Sequence, residues 1–394
     1  MNYASITDRL AGLGGAKWAV HTLARTLAAA GRDIIELTIG EPDVPTPDAL
    51  LDIAAQAMLA GRTGYSNGQG EQVLLDALAA RYSTRRGRTV SPRQVMCFPG
   101  TQTTLYAVMT ALAETGDQVL VGDPMYATYE GVIAATGASV VPVPLHPAHG
   151  FRIQAADIAE RITPRSRVIL LNSPHNPTGA VLGRDDIAAI GRLALAHDLW
   201  IVCDEVYEDM VFDGTTFASP LDFPEFADRV VVASSVSKSH AAPGFRSGWC
   251  VGPEAFCTRL LPLSETMLFG NQPFIADMTA AAVSAPSPVA PGMVTRFARR
   301  ARLIRDRLDG VAGLRVHVPQ AGMFALLDVR ATGMTGEAFA LSLLDFAGVA
   351  AMPGESFGAA LGGWLRLALS QPDDRIAAAC DRIADFAIRL RKVA

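Results

Sequence analysis

Between about residues 93 and 252, short apolar runs alternate with stretches whose apolar residues recur at a helical spacing. The runs lie at 95–98, 119–121, 140–143, 168–171, 200–203, 230–233 and 249–251, and they are rich in Val and Ile, so they predict strands. Between several of them the period changes. After Gly100, for example, Leu105, Val108, Met109 and Leu112 recur at i, i+3, i+4 and i+7 and mark one apolar helix face. Strands alternating with helices predict an α/β fold whose mostly parallel sheet is covered on both faces. Such sheets bind ligands at the carboxyl ends of their strands, so the residues that follow each run are the informative ones.

A Pro-rich stretch, Ala285-Pro286-Ser287-Pro288-Val289-Ala290-Pro291-Gly292, interrupts this pattern. A long helix is expected from near Met293, then strands at 314–318 and 323–328, which predicts a second, smaller α+β domain. A chain of 394 residues is in any case long for a single core. The helix carries Arg296, Arg299, Arg300, Arg302, Arg305 and Arg307, which reads as a solvated face, because the formal net charge of -5 offers no general attraction to nucleic acid or anionic membrane. No apolar signal core and no run of 18 apolar residues is seen, so a cytoplasmic protein is expected. Cys97, Cys203 and Cys250 sit inside strand-like runs and are expected to be buried thiols rather than disulfide partners. The seven histidines show no metal-ligand spacing, and no metal is expected.

Three strand ends carry chemistry. The run at 230–233 leads into Ser234-Ser235-Val236-Ser237-Lys238, with Gly244-Phe245-Arg246-Ser247-Gly248 beyond it. A lysine among small residues at a strand end can be approached closely, and in its neutral form it makes imines with carbonyl compounds. Arg246 offers a guanidinium fork for a phosphate, with the Ser235 hydroxyl beside it. Alone, such a lysine also reads as a solvated loop residue. The run at 200–203 leads into Asp204-Glu205-Val206-Tyr207. A carboxylate held there needs a cation or a strong donor; Asp204 suits a protonated pyridine nitrogen or a helix cap, and Glu205 is expected to point away into a polar network. After 168–171 comes Asn172-Ser173-Pro174-His175-Asn176-Pro177-Thr178-Gly179, an irregular loop that could aim the Asn176 amide at a ring oxygen or be a plain turn.

Taken together, Asn176, Asp204, Tyr207, Ser235, Lys238 and Arg246, in this order and each at or just beyond a strand end, resemble the class I/II aminotransferases of pyridoxal 5′-phosphate (PLP) fold type I. The likeness runs from about Leu37-Thr38-Ile39-Gly40-Glu41-Pro42-Asp43 to Arg366-Leu367-Ala368-Leu369-Ser370. It implies a large PLP-binding domain (46–284) around a mostly parallel seven-stranded sheet between helices. It also implies a small C-terminal α+β domain (285–394), part of which residues 1–45 supply together with an N-terminal arm. The resemblance assigns roles as well. Lys238 would hold the cofactor as an imine and carry protons, and Asp204 would bind the pyridinium nitrogen. Asn176 and Tyr207 would bind the ring 3-oxygen. Arg246, Ser235 and the backbone N–H groups of Thr101 and Gln102 would hold the phosphate, in keeping with the affinity of helix N-termini for anions. Tyr126 would stack on the ring, and Tyr65 would reach the phosphate of the neighbouring subunit in a homodimer. Arg366, with Asn176 and the Gly40 backbone nearby, would bind the substrate α-carboxylate.

The reaction so implied is a ping-pong transfer of the α-amino group of an L-amino acid to a 2-oxo acid. Asn172-Ser173-Pro174-His175-Asn176-Pro177, Ser237-Lys238-Ser239-His240 and Ala196-His197-Asp198-Leu199-Trp200 look like bacterial arginine:pyruvate aminotransferases. No acidic side chain stands out as the partner of a guanidinium. The same cofactor residues would also serve an aspartate, aromatic or broad-specificity aminotransferase, or a PLP-dependent C–S β-lyase.

Overall fold

The computed structural model describes residues 2–393. Its first strand, β1 (Ile35–Leu37), belongs to the smaller of two sheets. The larger sheet contains β2 (Val95–Phe98), β3 (Gln118–Asp123), β4 (Ser139–Pro144), β5 (Ser166–Asn172), β6 (Trp200–Asp204), β7 (Val230–Ser235) and β8 (Gly248–Val251). These are the seven predicted runs, most of them longer by a residue or two at an end. Their spatial order is β2-β8-β7-β6-β5-β3-β4. Every pair is parallel except those of β8, which runs antiparallel to both β2 and β7.

The apolar runs are continuous because both faces of this sheet are covered. Along β5, Ile169 and Leu171 join one buried cluster with Leu74, Leu78, Ile187 and Ile190. Val168 and Leu170 join another with Leu105, Val108 and Met109. Alternate residues of the run 168–171 thus pack under different helices, and the polar residues of β5 are confined to its ends. The predicted helix after Gly100 spans Gly100–Leu112 and buries Leu105, Val108 and Met109.

The smaller sheet adds β9 (Arg315–His317), β10 (Phe324–Asp328), β11 (Val349–Pro353) and β12 (Trp364–Ala368) to β1, in the order β1-β11-β12-β10-β9. In β12, Leu365 and Leu367 face the small core, so the pleat turns Arg366 to the other side. The long helix is Ala290–Leu308 and starts before Met293, because Pro291 needs no backbone donor in the first turn. Its arginines form more than a solvated face. Arg300 is buried, bonded to Asp43 at 2.7 Å and to Asp373 at 2.8 Å, and Arg296 meets Asp43 at 2.7 Å. Burial raises the Asp43 carboxyl, but these two guanidiniums together bring it below its ordinary value. The pairs tie the segment following Gly40 to the small domain's helix.

All five cysteines are free and buried. Among the described residues no helix is long and apolar enough to cross a membrane, and no group of three or more His, Cys, Asp or Glu is placed to hold a metal ion.

Candidate active site

The carboxyl ends of β5, β6 and β7 open onto one cavity of about 260 Å³. Asp204 is the last residue of β6, Ser235 the last of β7, and Asn172 the last of β5. Because β8 is antiparallel, its beginning lies at the same edge, which brings in Arg246. The cavity is lined by eleven of the twelve residues singled out above: Gly40, Thr101, Gln102, Tyr126, Asn176, Asp204, Tyr207, Ser235, Lys238, Arg246 and Arg366. Tyr65 lies outside it. That ring is 95% exposed and packs edge-on against Phe269, with 6.0 Å between centroids.

Lys238 donates from Nζ to the Gly40 carbonyl at 2.8 Å. Burial, with the Arg366 charge adding to it, brings its ammonium down to about 8 from an ordinary 10.5. The Asp204 carboxylate accepts from the Tyr129 hydroxyl at Oδ2 (2.8 Å) and from the Val206 N–H at Oδ1 (3.1 Å). These bonds do not offset burial, which raises its pKa from 3.8 to about 6. Asp204 is thus an anion buried at the floor of the cavity with no ion pair to a cation among the described residues.

Arg366 is the converse. It is 1% exposed, donates to Asn176 Oδ1 (3.1 Å) and to the Thr38 carbonyl (2.6 Å), and forms no ion pair among the described residues. Its Nε has no partner at all. The guanidinium carbon stands 3.9 Å from the centroid of Phe324 and 4.4 Å from that of Phe357, so the plane is held between rings. Burial lowers its pKa from 12.5 to about 10.

At the other end, Gly100 opens the helix Gly100–Leu112 with φ +84°, and a Cβ there would fall 2.2 Å from Arg246 Nη2. A Cβ on Gly248 would fall 2.6 Å from the Gly100 carbonyl carbon and 2.7 Å from the Thr101 nitrogen. Two glycines therefore let the helix start, β8 and the Arg246 fork converge. Arg246 itself takes φ 51° and donates to the Pro243 carbonyl at 3.0 Å. The Thr101 hydroxyl is buried without a partner, and Ser235 Oγ accepts only from the Ser237 N–H at 3.3 Å. Helix start, hydroxyls and guanidinium form a cradle for an anion.

Residues 32–383 match the family model described as aminotransferase class I and II. The chain belongs to the class I and II aminotransferases. It is 43% identical over 390 residues, 99% of both chains, to the arginine–pyruvate transaminase AruH of Pseudomonas aeruginosa. It is 33% identical to an aspartate aminotransferase of Geobacillus stearothermophilus, covering 93% of this chain and 95% of that one. Among solved structures, the aspartate aminotransferase of Thermus thermophilus with maleate superposes with a TM-score of 0.91 at 28% identity, over 98% of this chain and 99% of that one. The fold is that of the fold type I aminotransferases.

In this aminotransferase the Asn176 amide sits between Arg366 and Tyr207, and the loop that carries it contains two cis X-Pro bonds, Ser173-Pro174 and Asn176-Pro177. Burial pushes the Tyr207 phenol up, against the lowering effect of the Arg366 charge and the Asn176 amide. Glu205 turns away from the cavity, as the alternation of β6 requires. It is buried 3.5 Å from Arg86, in a cluster with Glu208 and Asp222.

Sequence reasoning passed over four contributors. Tyr129 opens the helix Tyr129–Thr136, and Tyr126 lies in the turn just before it, where the Tyr129 N–H donates to the Tyr126 carbonyl at 3.0 Å and the two rings meet edge to face. Asn172 holds the loop by donating to the Asp204 and Pro174 carbonyls and accepting from the Asn176 N–H. The Phe324 and Phe357 rings come from distant segments, and nothing local in the sequence announces that they flank Arg366.

Proposed function

We propose that this aminotransferase uses PLP to move the α-amino group of an L-amino acid to a 2-oxo acid by a ping-pong mechanism, with arginine as donor and pyruvate as acceptor. The observation that carries the chemistry is a charge imbalance. A buried anion, Asp204, and a buried cation, Arg366, face one cavity that Lys238 also lines, and neither is in an ion pair among the described residues. Burying unpaired charges is costly, so the pair fits a ligand set that brings a cationic ring nitrogen to Asp204 and a carboxylate to Arg366. The unpartnered Thr101 hydroxyl and the glycine-lined cradle beside Arg246 fit a phosphate. These residues suit PLP.

When bound, PLP supplies an electron sink for the charge left on the substrate α-carbon after its proton is removed. Asp204 keeps a proton on the ring nitrogen, and the Tyr129 hydroxyl and Val206 N–H hold the carboxylate in place for it. Asn176 and Tyr207 would bind the ring oxygen, and Tyr126, which lines the same cavity, would stack on the ring. Arg366 grips the α-carboxylate with its fork, aligned by Phe324 and Phe357. Lys238 Nζ would hold the cofactor and, once freed, take and return the α-proton. Its lowered pKa raises the share of neutral amine available for that step at neutral pH. Tyr65 and Phe269, exposed together outside the cavity, fit a homodimer in which Tyr65 reaches the partner's phosphate site. Residues 46–284 would carry the cofactor, and residues 285–394 with 1–45 would carry the carboxylate grip and its surroundings. The five free thiols fit a reducing, cytoplasmic setting.

The choice of arginine and pyruvate rests on the 43% identity over nearly the whole of both chains. The test is a panel of amino donors offered to PLP-loaded enzyme in single turnovers followed by cofactor absorbance. Arginine is expected to convert the cofactor fastest, and pyruvate to restore it. Slow conversion by arginine beside fast conversion by aspartate would reject this substrate pair.

A further inference from the structure

An arginine donor brings a guanidinium into a cavity whose one acidic lining residue among the described residues, Asp204, is on the floor and held by Tyr129 and Val206. With the α-carboxylate on Arg366 and the amino group at Lys238, the side chain has to extend toward what remains of the wall. Once the residues already given a role are set aside, that lining is Trp18, Ile39, Leu105, Val206, Ser237 and Pro243, and among them Trp18 is the one aromatic side chain. Trp18 ends a short 3-10 turn, Gly15–Trp18, and begins the approach to the helix Ala19–Ala29. The turn is tied down on both sides. Lys17 donates to the Ala127 carbonyl at 3.3 Å and to Glu130 at 2.7 Å, and its own carbonyl accepts from Ser356 at 2.9 Å. His21 packs T-shaped against the indole, 6.4 Å between centroids. Trp18 is thus a fixed aromatic wall of the cavity.

We infer that Trp18 is a specificity-determining residue, its indole face serving as the platform for a cationic guanidinium side chain; the inference rests on the arginine reading above. A planar, weakly hydrated guanidinium is attracted to an indole face, and Trp is the strongest of the aromatic partners. The chain holds its own Arg366 guanidinium in the same manner, against Phe324 and Phe357. A competing charge of suitable sign is Glu41, which follows Gly40 of the lining, is exposed, is in no ion pair among the described residues and acts favourably on the Lys238 ammonium, whereas Glu36 and Glu130 are already paired with His21 and Lys17.

The test uses two ligands of equal length that cannot react because they lack an amino group, 5-guanidinopentanoate and its uncharged twin 5-ureidopentanoate. Their affinities for PLP-loaded enzyme are measured by calorimetry in the wild type and in Trp18→Leu, Trp18→Phe and Glu41→Gln. The wild type is expected to prefer the guanidino ligand by about tenfold, the order of one desolvated cation–π contact. Trp18→Leu should bring that preference close to unity while moving the affinity for the ureido ligand less than about threefold, and Trp18→Phe should keep part of it. A full preference surviving in Trp18→Leu overturns the platform and leaves the arginine reading intact. Loss of preference in Glu41→Gln alone overturns it in favour of the Glu41 carboxylate. No preference in the wild type overturns the arginine reading itself.

Discussion

At the scale of single residues, the site is held in an unfavourable electrostatic state. Asp204 is raised from 3.8 to about 6 by burial, so the folded protein binds its proton more tightly than the unfolded chain does. The stabilising effect of that proton is complete below about pH 3.8 and is lost as pH rises through 6. At pH 7.5 the carboxylate is ionised and buried, at a cost of about 1–3 kcal/mol in cofactor-free protein. Asp204→Asn should therefore stabilise cofactor-free enzyme by about that amount at pH 7.5 in urea denaturation, and by almost nothing near pH 4. The same substitution should lower transamination by about a hundredfold or more. Lys238 offers a second check. Lys17, Lys238 and Lys392 are the chain's lysines, which makes chemical labelling clean. Only the neutral amine attacks an aldehyde, so in cofactor-free protein Lys238 should be reductively alkylated along a pH profile with its midpoint near 8. A midpoint near 10.5, read by mass spectrometry of the labelled peptide, would refute the lowered value.

Most of the site was legible at this scale because ligand contacts cluster at strand ends, where an apolar run stops and a polar residue follows. Asp204, Lys238 and Arg246 stand out in that way. Arg366 does not, since it is buried in mid-strand between Leu365 and Leu367, and only the family resemblance pointed to it. Trp18 and Tyr129 were missed for a similar reason: an aromatic residue beside a helix reads as core until the cavity it faces is known.

At the scale of elements, the alternation of two periods was enough to find the seven strands of the large sheet. What it could not reveal is direction. That β8 runs antiparallel follows from pairing with β2 and β7, and this reversal is what delivers Arg246 to the ligand edge. The convergence depends on Gly248, whose added Cβ would meet backbone atoms of Gly100 and Thr101 that cannot rotate away. Gly248→Ala should push the helix start from β8, destabilise the fold by about 1–3 kcal/mol and weaken PLP binding by about tenfold or more. Thermal denaturation and a PLP titration of cofactor-free protein would check both. Unchanged PLP affinity in a destabilised variant would separate the cradle from the packing.

At the scale of the whole molecule, the site is shared between the two sheets. The large sheet provides Asp204, Lys238 and Arg246, and the small one provides Arg366, which crosses to Asn176 at 3.1 Å. Cofactor and carboxylate functions should thus separate. Arg366→Ala should leave PLP bound while lowering kcat/KM for every amino donor by a common factor of about 10–100, since it removes the one contact shared by all of them. The central claim is that Lys238 works on an amino acid held by the buried cation Arg366, on a cofactor whose ring nitrogen meets the buried anion Asp204. Its most direct measurement is the absorbance spectrum of protein purified with PLP, before and after one equivalent of arginine, in the wild type and in Lys238→Ala. The wild type should show a bound-cofactor band that arginine converts and pyruvate restores, and Lys238→Ala should lack that band. A wild-type spectrum without bound cofactor, or a band that survives in Lys238→Ala unchanged, would contradict it.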